Sequence, residues 1–252
     1  MYGYKITEIK EFYLFSKTVK SIRIPKEITY ITHLGEYIDI DVEEGDHWGK
    51  EKPIIECADA CQLEEIVVDS ENPRYSSLDG VLFTKNHKRL LYYPHYKTTE
   101  KYIVPDTVSF ITTGAFAGAK KLKSLTITPN VTELGFNSIP KKGLEELRFE
   151  NTHLPQYNYI DLEWEEELRE YPKYLPDVVD TVVYCIEGSN LYKEYKKTFE
   201  YPEACCKELK TFTIPTTETL KKGSDGKWYY YVNGIKSNET TLVEHNGQWC
   251  YV

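Results

Sequence analysis

Apolar residues recur along the chain in a six-residue pattern of apolar, x, x, apolar, x, apolar. The pattern is clearest in Leu63–Val68, Leu122–Ile127 and Leu144–Phe149. Because side chains alternate along a strand, the fourth and sixth residues face the interior and the fifth faces solvent. Each copy therefore predicts a short, half-buried β-strand. Seven copies begin at positions 19, 63, 99, 122, 144, 179 and 209.

The spacing of these copies defines a repeat unit. The shortest steps between copies are 22 and 23 residues. The first step, of 44 residues, is two units long, so we predict a degenerate copy near Tyr37 to Asp41. The later long steps predict insertions. A unit of this length with one short strand is typical of a leucine-rich repeat, whose copies stack in parallel because none can bury its apolar side alone.

Proline closes several of the predicted strands. Pro25, Pro105 and Pro215 each follow the last apolar residue of a copy. Proline lacks a ladder donor and turns the chain out of a strand. A second apolar pair then follows in three copies, and we expect it to form an opposite wall: Ile28 with Ile31, Val108 with Ile111, and Val131 with Leu134.

The best-formed copy, residues 102–122, runs from a strand through Pro105 to Ala115-Phe116 and Leu122. This order of elements resembles the BspA-type leucine-rich-repeat family. Residues 72–96 resemble the family's hairpin insertion, with two strands joined near Lys85 to Lys88, and residues 182–192 resemble a closing strand and short helix. The resemblance implies a mainly β fold with short helices, a parallel-strand solenoid over residues 1–215.

The composition changes in residues 216–252. A Gly-containing turn precedes Trp228-Tyr229-Tyr230-Tyr231, and a similar segment with Trp249 follows 21 residues later. Asn-Gly beside aromatic runs predicts β-hairpins. These segments resemble Trp/Tyr-rich cell-wall-binding repeats, related in pattern to choline-binding repeats. The resemblance implies binding of a wall polymer through Trp228, Tyr230 and Trp249. The alternative is a hairpin stabilised only by cross-strand aromatic pairs.

Charge and composition narrow the partners. The 252 residues carry a formal net charge of -9, which argues against nucleic acid and against an anionic membrane. No run approaches the roughly 20 apolar residues that span a bilayer. The first residues show no signal peptide, so we expect one to lie outside the given sequence and the protein to be extracellular and associated with the cell surface. The 22 tyrosines suit a binding surface or, equally, strands.

Motifs for catalysis, metals and cofactors are missing from the sequence. The six cysteines lack zinc spacing, and the acidic run from Asp39 to His47 fails the calcium-loop spacing because Gly45 comes one place late. We interpret that run as a solvated loop. No nucleophile, metalloprotease or phosphate-loop motif occurs. The sequence therefore predicts a protein that is not an enzyme and has no cofactor and no metal.

Two surfaces remain as candidate binding sites. One is the insertion at 151–177, where Trp164, Leu168 and Tyr171 form a helical stripe that either packs on the solenoid or binds a partner. The other is the row of fifth positions in the strands: Arg23, Val67, Ile103, Thr126, Arg148, Val183 and Thr213.

These features favour an adhesion or recognition module of a bacterial surface protein. Its expected partner is a host or bacterial surface protein or a glycan, with a cell-wall polymer for the C-terminal repeats. Two alternatives stay open, namely a structural stalk that displays other domains and an accessory region of a secreted enzyme.

Overall fold

The computed structural model describes residues 6–10, 13–14, 17–32, 56–57, 62–135, 137–158, 176, 178–199, 206–213, 218–222, 228–232, 235–236, 242–245 and 248–251. The chain divides into two compact units, Met1–Phe212 and Thr213–Val252. The boundary predicted at residues 215 and 216 stays a prediction.

The first unit is built from short strands and one helix in its described residues. They are β1 (Glu8–Lys10), β2 (Tyr13–Leu14), β3 (Ser21–Ile24), β4 (Tyr30–Thr32), β5 (Glu56–Cys57), β6 (Glu65–Val68), β7 (Tyr75–Leu78), β8 (Val81–Thr84), β9 (Arg89–Tyr92), β10 (Lys101–Ile103), β11 (Phe110–Ile111), β12 (Ser124–Ile127), β13 (Glu133–Gly135), β14 (Glu146–Phe149), β15 (Gln156–Asn158), β16 (Val178–Ile186), α1 (Asn190–Phe199) and β17 (Cys206–Phe212).

The six-residue copies form one wall of a solenoid. Here β10, β12, β14, β16 and β17 pair in parallel in that order, and β3 pairs in parallel with β6. Each strand comes from a successive repeat, so neighbouring strands are joined by a long crossover rather than a hairpin. This is the parallel-strand solenoid that the sequence predicts. We call these two sheets together the first wall.

The second apolar pair forms an opposite wall in two of the predicted repeats, Val108 with Ile111 and Val131 with Leu134, whereas Ile31 lies in β4, which pairs with β1. Strands β9, β11, β13 and β15 pair in parallel, and the antiparallel β8 and β7 extend the sheet at one edge. Between the walls lie the inward side chains of both sheets, including Val108, Ile111, Val131 and Leu134, all fully or almost fully buried.

A hairpin divides the interior into two cores. All four residues of β8 are buried, because both faces of this strand are covered. Val81 and Phe83 pack in the larger core with the repeats that follow, and Leu82 packs in the smaller core with Ile24 and Ile66. Near the predicted junction at Lys85 to Lys88, β8 and β9 pair antiparallel. Strand β7 was not predicted, although Asp79-Gly80, whose φ angles of 51° and 76° suit a two-residue hairpin turn, signals it.

The degenerate copy expected near Tyr37 to Asp41 is wrong as a strand of the first wall. Ser21 pairs directly with Glu65, and Ile24 with Val68. Two strands joined by a ladder leave no place for a third strand between them in this sheet. Residues 37–41 themselves, and the acidic run that follows, lie outside the described residues.

The insertion predicted at 151–177 starts later than expected. Gln156–Asn158 forms β15, which pairs with β13 and belongs to the second wall. The expected helix with Trp164 and Tyr171 lies outside the described residues. Beyond it, β14 pairs with β16 from Glu146 and Val182 onward, so the repeats resume in register.

The strand and short helix suggested by the resemblance are β16 and α1. Ser189 caps the helix, because its hydroxyl accepts a hydrogen bond from the Tyr192 N–H at 3.1 Å. Leu191 and Tyr195 are buried against the larger core. However, β16 does not close the solenoid, since β17 pairs with it on the far side.

The second unit consists of antiparallel hairpins in its described residues, as predicted for this segment. Strand β18 (Glu218–Lys222) pairs with β19 (Trp228–Val232), which pairs with β20 (Ile235–Lys236). A separate hairpin joins β21 (Leu242–His245) to β22 (Gln248–Tyr251).

A buried asparagine ties the first two repeats of the first wall together. The Asn72 amide donates to the carbonyls of Pro25 at 2.9 Å and Ile28 at 2.8 Å. Its oxygen accepts from the backbone N–H groups of Arg74 and Tyr75. Asn72 is fully buried, so these four bonds satisfy main-chain groups that water cannot reach.

Other buried polar groups make similar links between repeats. The Asn151 amide donates to the carbonyl of Val131 at 2.7 Å, in the turn of the preceding repeat. The Tyr75 hydroxyl accepts a hydrogen bond from the Ile31 N–H at 2.9 Å, and burial raises the pKa of Tyr75 to about 12. The turns of neighbouring repeats are thus held by side chains as well as by the strand ladders.

We predict that Asn72→Ala destabilises the protein by about 2–4 kcal/mol, because it leaves several buried main-chain groups without partners. The control is Asn130→Ala, since Asn130 is exposed and donates one hydrogen bond, to the Asp106 carbonyl. The control should stay within about 0.5 kcal/mol of the parent protein. Urea denaturation measures both, and equal midpoints for the two variants would contradict the role given to Asn72.

Candidate functional site

The solvent side of the first wall carries a continuous row of side chains. In register, Ile103 lies beside Thr126, Thr126 beside Arg148, Arg148 beside Tyr184, and Tyr184 beside Lys210. Neighbouring strands are about 4.8 Å apart, so the row runs straight across five repeats. We call this solvent side of the first wall the strand face.

Two residues of the predicted row are placed differently by the structure. Val183 pairs with Leu147 and is fully buried, so it points inward. Leu209 pairs with Val183, so it takes the fourth, inward position of the six-residue pattern. The fifth, outward position is then Lys210, and Thr213 lies beyond the row. The outward residues of these strands are Tyr184 and Lys210. The β16–β17 pairing is irregular between Val178 and Val182, and the adjacent Val182 and Val183 fit the apolar pattern in more than one register.

Arg148 is the most constrained side chain on the strand face. Its guanidinium carbon lies 3.4 Å from the centre of the Phe212 ring, so the side chain reaches from β14 across β16 to β17. Its Nε lies 3.5 Å from a carboxylate oxygen of Glu150. The side chain remains 38% exposed, so solvent or a partner can still reach the guanidinium. Stacking of this kind fixes the plane of the guanidinium without using its in-plane donors.

A second cation lies beside an aromatic ring on the same face. The Lys210 ammonium is 5.9 Å from the centre of the Tyr184 ring and 3.1 Å from a carboxylate oxygen of Glu208. The hydrogen bond and charge of Glu208 raise the pKa of Lys210 above its ordinary value. The C-terminal part of the strand face therefore repeats one arrangement twice, with a cation next to a ring and a carboxylate.

The other predicted members of the row lie toward the N-terminal repeats. Arg23 pairs in register with Val67, is 74% exposed, and lies 3.8 Å from a carboxylate oxygen of Asp69. Val67 and Ile103 are exposed apolar side chains. Thr126 is half-buried between Ile103 and Arg148. Together with Arg148, the structure therefore places five of the predicted residues on solvent-facing strand positions.

The remaining predicted site residues lie either outside the described residues or in the second unit. Trp164 and Tyr171 lie outside the part of the chain that the structure describes. Trp228 and Tyr230 lie in β19 and Trp249 lies in β22, within the separate second unit. The sequence analysis missed Tyr184, Lys210, Phe212 and Glu150, and only the strand register reveals them.

The described residues show no group of three or more His, Cys, Asp and Glu side chains placed to hold a metal ion. A depression on the first unit is lined only by residues of α1: Asn190, Lys193, Glu194, Lys196 and Lys197. It is an open helix surface rather than a substrate cleft. Within the same described part of the chain, no helix combines the length and the apolar character needed to cross a bilayer.

Parallel strands stacked at a 22 to 23 residue repeat, with a second wall closing the interior, define a leucine-rich-repeat solenoid. A family model described as BspA type leucine rich repeat region matches residues 91–160. The central repeats of this chain are therefore similar to that family. No curated protein matches the chain.

Three solved structures are similar to the chain. A leucine-rich repeat protein from Eubacterium ventriosum ATCC 27560 is 23% identical, with a TM-score of 0.41 over 82% of this chain. A leucine rich cell surface protein from Faecalibacterium prausnitzii A2-165 is 14% identical, with a TM-score of 0.44 over 83%. The pneumococcal vaccine antigen PcpA is 14% identical, with a TM-score of 0.37 over 84%. The chain spans 43%, 52% and 60% of their respective lengths.

We predict a measurable coupling between Arg148 and Phe212, because a guanidinium close to a ring is worth about 0.5–1 kcal/mol at an exposed site. A double-mutant cycle with Arg148→Ala and Phe212→Ala measures it through denaturation. The matched pair is Lys210 with Tyr184, whose greater separation should give a smaller coupling energy. A coupling for Arg148 and Phe212 that is no larger than that of the matched pair would contradict the predicted constraint.

Proposed function

We propose that this chain is a non-catalytic recognition module of a bacterial cell-surface protein, and that it binds a protein or glycan of another surface through the strand face. The observation that carries the proposal is the outward row ending in Arg148, Tyr184 and Lys210. These side chains stand on a ladder of paired strands, and they face solvent rather than the core.

The chemistry around Arg148 supports a binding role. Arginine and tyrosine are enriched among the residues that dominate binding energy at interfaces. A side chain already held in one orientation loses less conformational entropy when a partner arrives. Arg148 meets this condition through Phe212 and Glu150. The solenoid adds an extended surface across several repeats, which suits a large partner.

An extracellular location is part of the same proposal. The BspA-type region and the aromatic hairpins both resemble segments of bacterial surface proteins. We further propose that the second unit attaches the protein to a cell-wall polymer through Trp228, Tyr230 and Trp249. Aromatic rings on adjacent hairpins are the groups from which a cage for a quaternary ammonium is built. The strand face is then left for the partner.

The test of recognition is binding of the full chain to immobilised matrix proteins, mucin and whole bacterial cells. We expect at least one of these to bind, and Arg148→Ala or Tyr184→Ala to weaken that binding roughly thirtyfold, as loss of about 2 kcal/mol at a binding hot spot would. Lys193→Ala, which removes an exposed cation on α1, is the control and should bind as the parent does. No binding to any surface, or binding unchanged by Arg148→Ala and Tyr184→Ala, would favour a structural stalk.

The test of wall attachment is sedimentation of the full chain with purified cell walls. The double variant Trp228→Ala and Trp249→Ala should remain in the supernatant, since it removes one ring from each Trp-containing hairpin strand. Free choline should release the parent protein if the wall ligand carries choline. Arg148→Ala is the control and should sediment normally. Normal sedimentation of the double variant would refute the wall-binding role.

A further inference from the structure

Exposed apolar side chains are concentrated at one place on the strand face. Five large apolar residues are exposed in the described part of the chain, and three of them are Val67 at 38%, Leu78 at 41% and Ile103 at 66%. The other two, Ile6 and Tyr30, belong to the first repeats of the chain. We call Val67, Leu78 and Ile103 the hairpin-tip patch.

Backbone contacts place Leu78 beside Val67. The Ile66 N–H donates to the Gly80 carbonyl at 2.9 Å, and the Val68 N–H donates to the Ser77 hydroxyl at 2.9 Å. The end of the hairpin formed by β7 and β8 therefore runs antiparallel along β6, with Leu78 opposite Val67. The approach is close, because a Cβ on Gly80 would lie 2.8 Å from the Cβ of Glu65.

The other side of the hairpin tip lies against the segment that leads into β10. The Lys97 ammonium, four residues before β10 begins, donates to the Asp79 carbonyl. The tip therefore fills the gap between β6 and β10, where a regular solenoid would pair those two strands directly. Ile103 is exposed on β10, the strand of the first wall that follows β6 in repeat order, and so lies on the same solvent side as Val67.

The fold does not require these apolar side chains. The inward residues of the same segments, Ile66 and Val81, are fully buried and supply the packing. Equivalent outward positions elsewhere carry Arg23, Thr126 and Arg148, which shows that polar residues suit this face. A cluster of exposed apolar residues beyond the needs of the core is the usual mark of an interaction site.

We infer that the hairpin-tip patch docks an aliphatic side chain of a protein partner with net positive charge. The inference rests on the proposed function and narrows its partner from a protein or glycan to a protein. The patch holds no aromatic ring on which a sugar could stack. Apolar residues within a polar surround are instead the anatomy of a protein interface.

Charge and area distinguish this partner from a second copy of the chain. The net charge of -9 repels a second copy and steers a cationic protein toward the surface. Beside the patch, the carboxylates of Glu65 and Asp79 are matched by the ammonium groups of Lys97 and Lys101, so the preference for a cationic partner comes from the net charge of the whole chain. Three side chains cover far less than the roughly 800 Å² per partner of a stable dimer, so the patch is the apolar centre of a larger contact.

The experiment selects binders from a random peptide library displayed on phage, with the full chain as the target. We expect enriched peptides in which Lys and Arg flank an aliphatic residue. Synthetic copies of these peptides should bind Ile103→Ser and Leu78→Ser roughly tenfold or more weakly than the parent protein. Tyr30→Ser, which alters an exposed apolar residue outside the patch, is the matched control and should bind as the parent does. Circular dichroism checks that each variant is folded.

The outcomes separate this inference from the proposed function. Peptides whose binding is lost in Arg148→Ala but kept in both patch variants would overturn the inference and leave the strand face as a binding surface. Peptides insensitive to all three substitutions would count against both. Enrichment of acidic peptides would overturn the inference that the partner carries a net positive charge. Sedimentation equilibrium of the chain alone should show a monomer, and a dimer abolished by Ile103→Ser would make a second copy the occupant.

Discussion

The structure depends on one constraint, which is that no repeat can cover its own apolar residues. Leu125 and Leu147 are fully buried because the strands before and after them in the first wall, paired residue by residue, shield them. Parallel pairing in register keeps inward residues above inward residues from one repeat to the next. It also lines up the outward residues, so the strand face is a direct consequence of the packing of the core. The same parallel pairing therefore produces both the stable interior and the continuous outer surface of this fold.

The hairpin of β7 and β8 is the one place in the described first wall where strands of successive repeats do not pair directly in parallel. Its tip takes the position of a strand between β6 and β10 and satisfies N–H groups of β6 with a carbonyl and a hydroxyl. Its body is buried on both faces and separates the two cores. The strand face thus has two unlike parts, an apolar one at the hairpin and one farther along where cations lie beside aromatic rings.

The sequence predicted the class of fold because the apolar period of the repeats survives wherever packing is regular. Residues 99–149 have the shortest steps, and there the predicted outward residues Ile103, Thr126 and Arg148 are correct in register. It failed at Val183 because consecutive valines satisfy the pattern in two registers and only hydrogen bonding chooses between them. It failed near Tyr37 because spacing alone cannot distinguish a missing copy from a long crossover. The contact of Arg148 with Phe212 joins residues 64 positions apart, and no local pattern encodes it.

The two cores have no residue in common and meet at β8 and β9. Val81, Phe83 and Leu90 pack in the larger core, and Leu82, Leu91 and Tyr92 pack in the smaller one. Each core therefore keeps its own set of apolar contacts when the other is disturbed. If the chain links two surfaces, as proposed above, tension along its backbone acts on two separate sets of contacts. Unfolding that begins in the first repeats would then disrupt the smaller core first and leave β8 and β9 packed against the larger core.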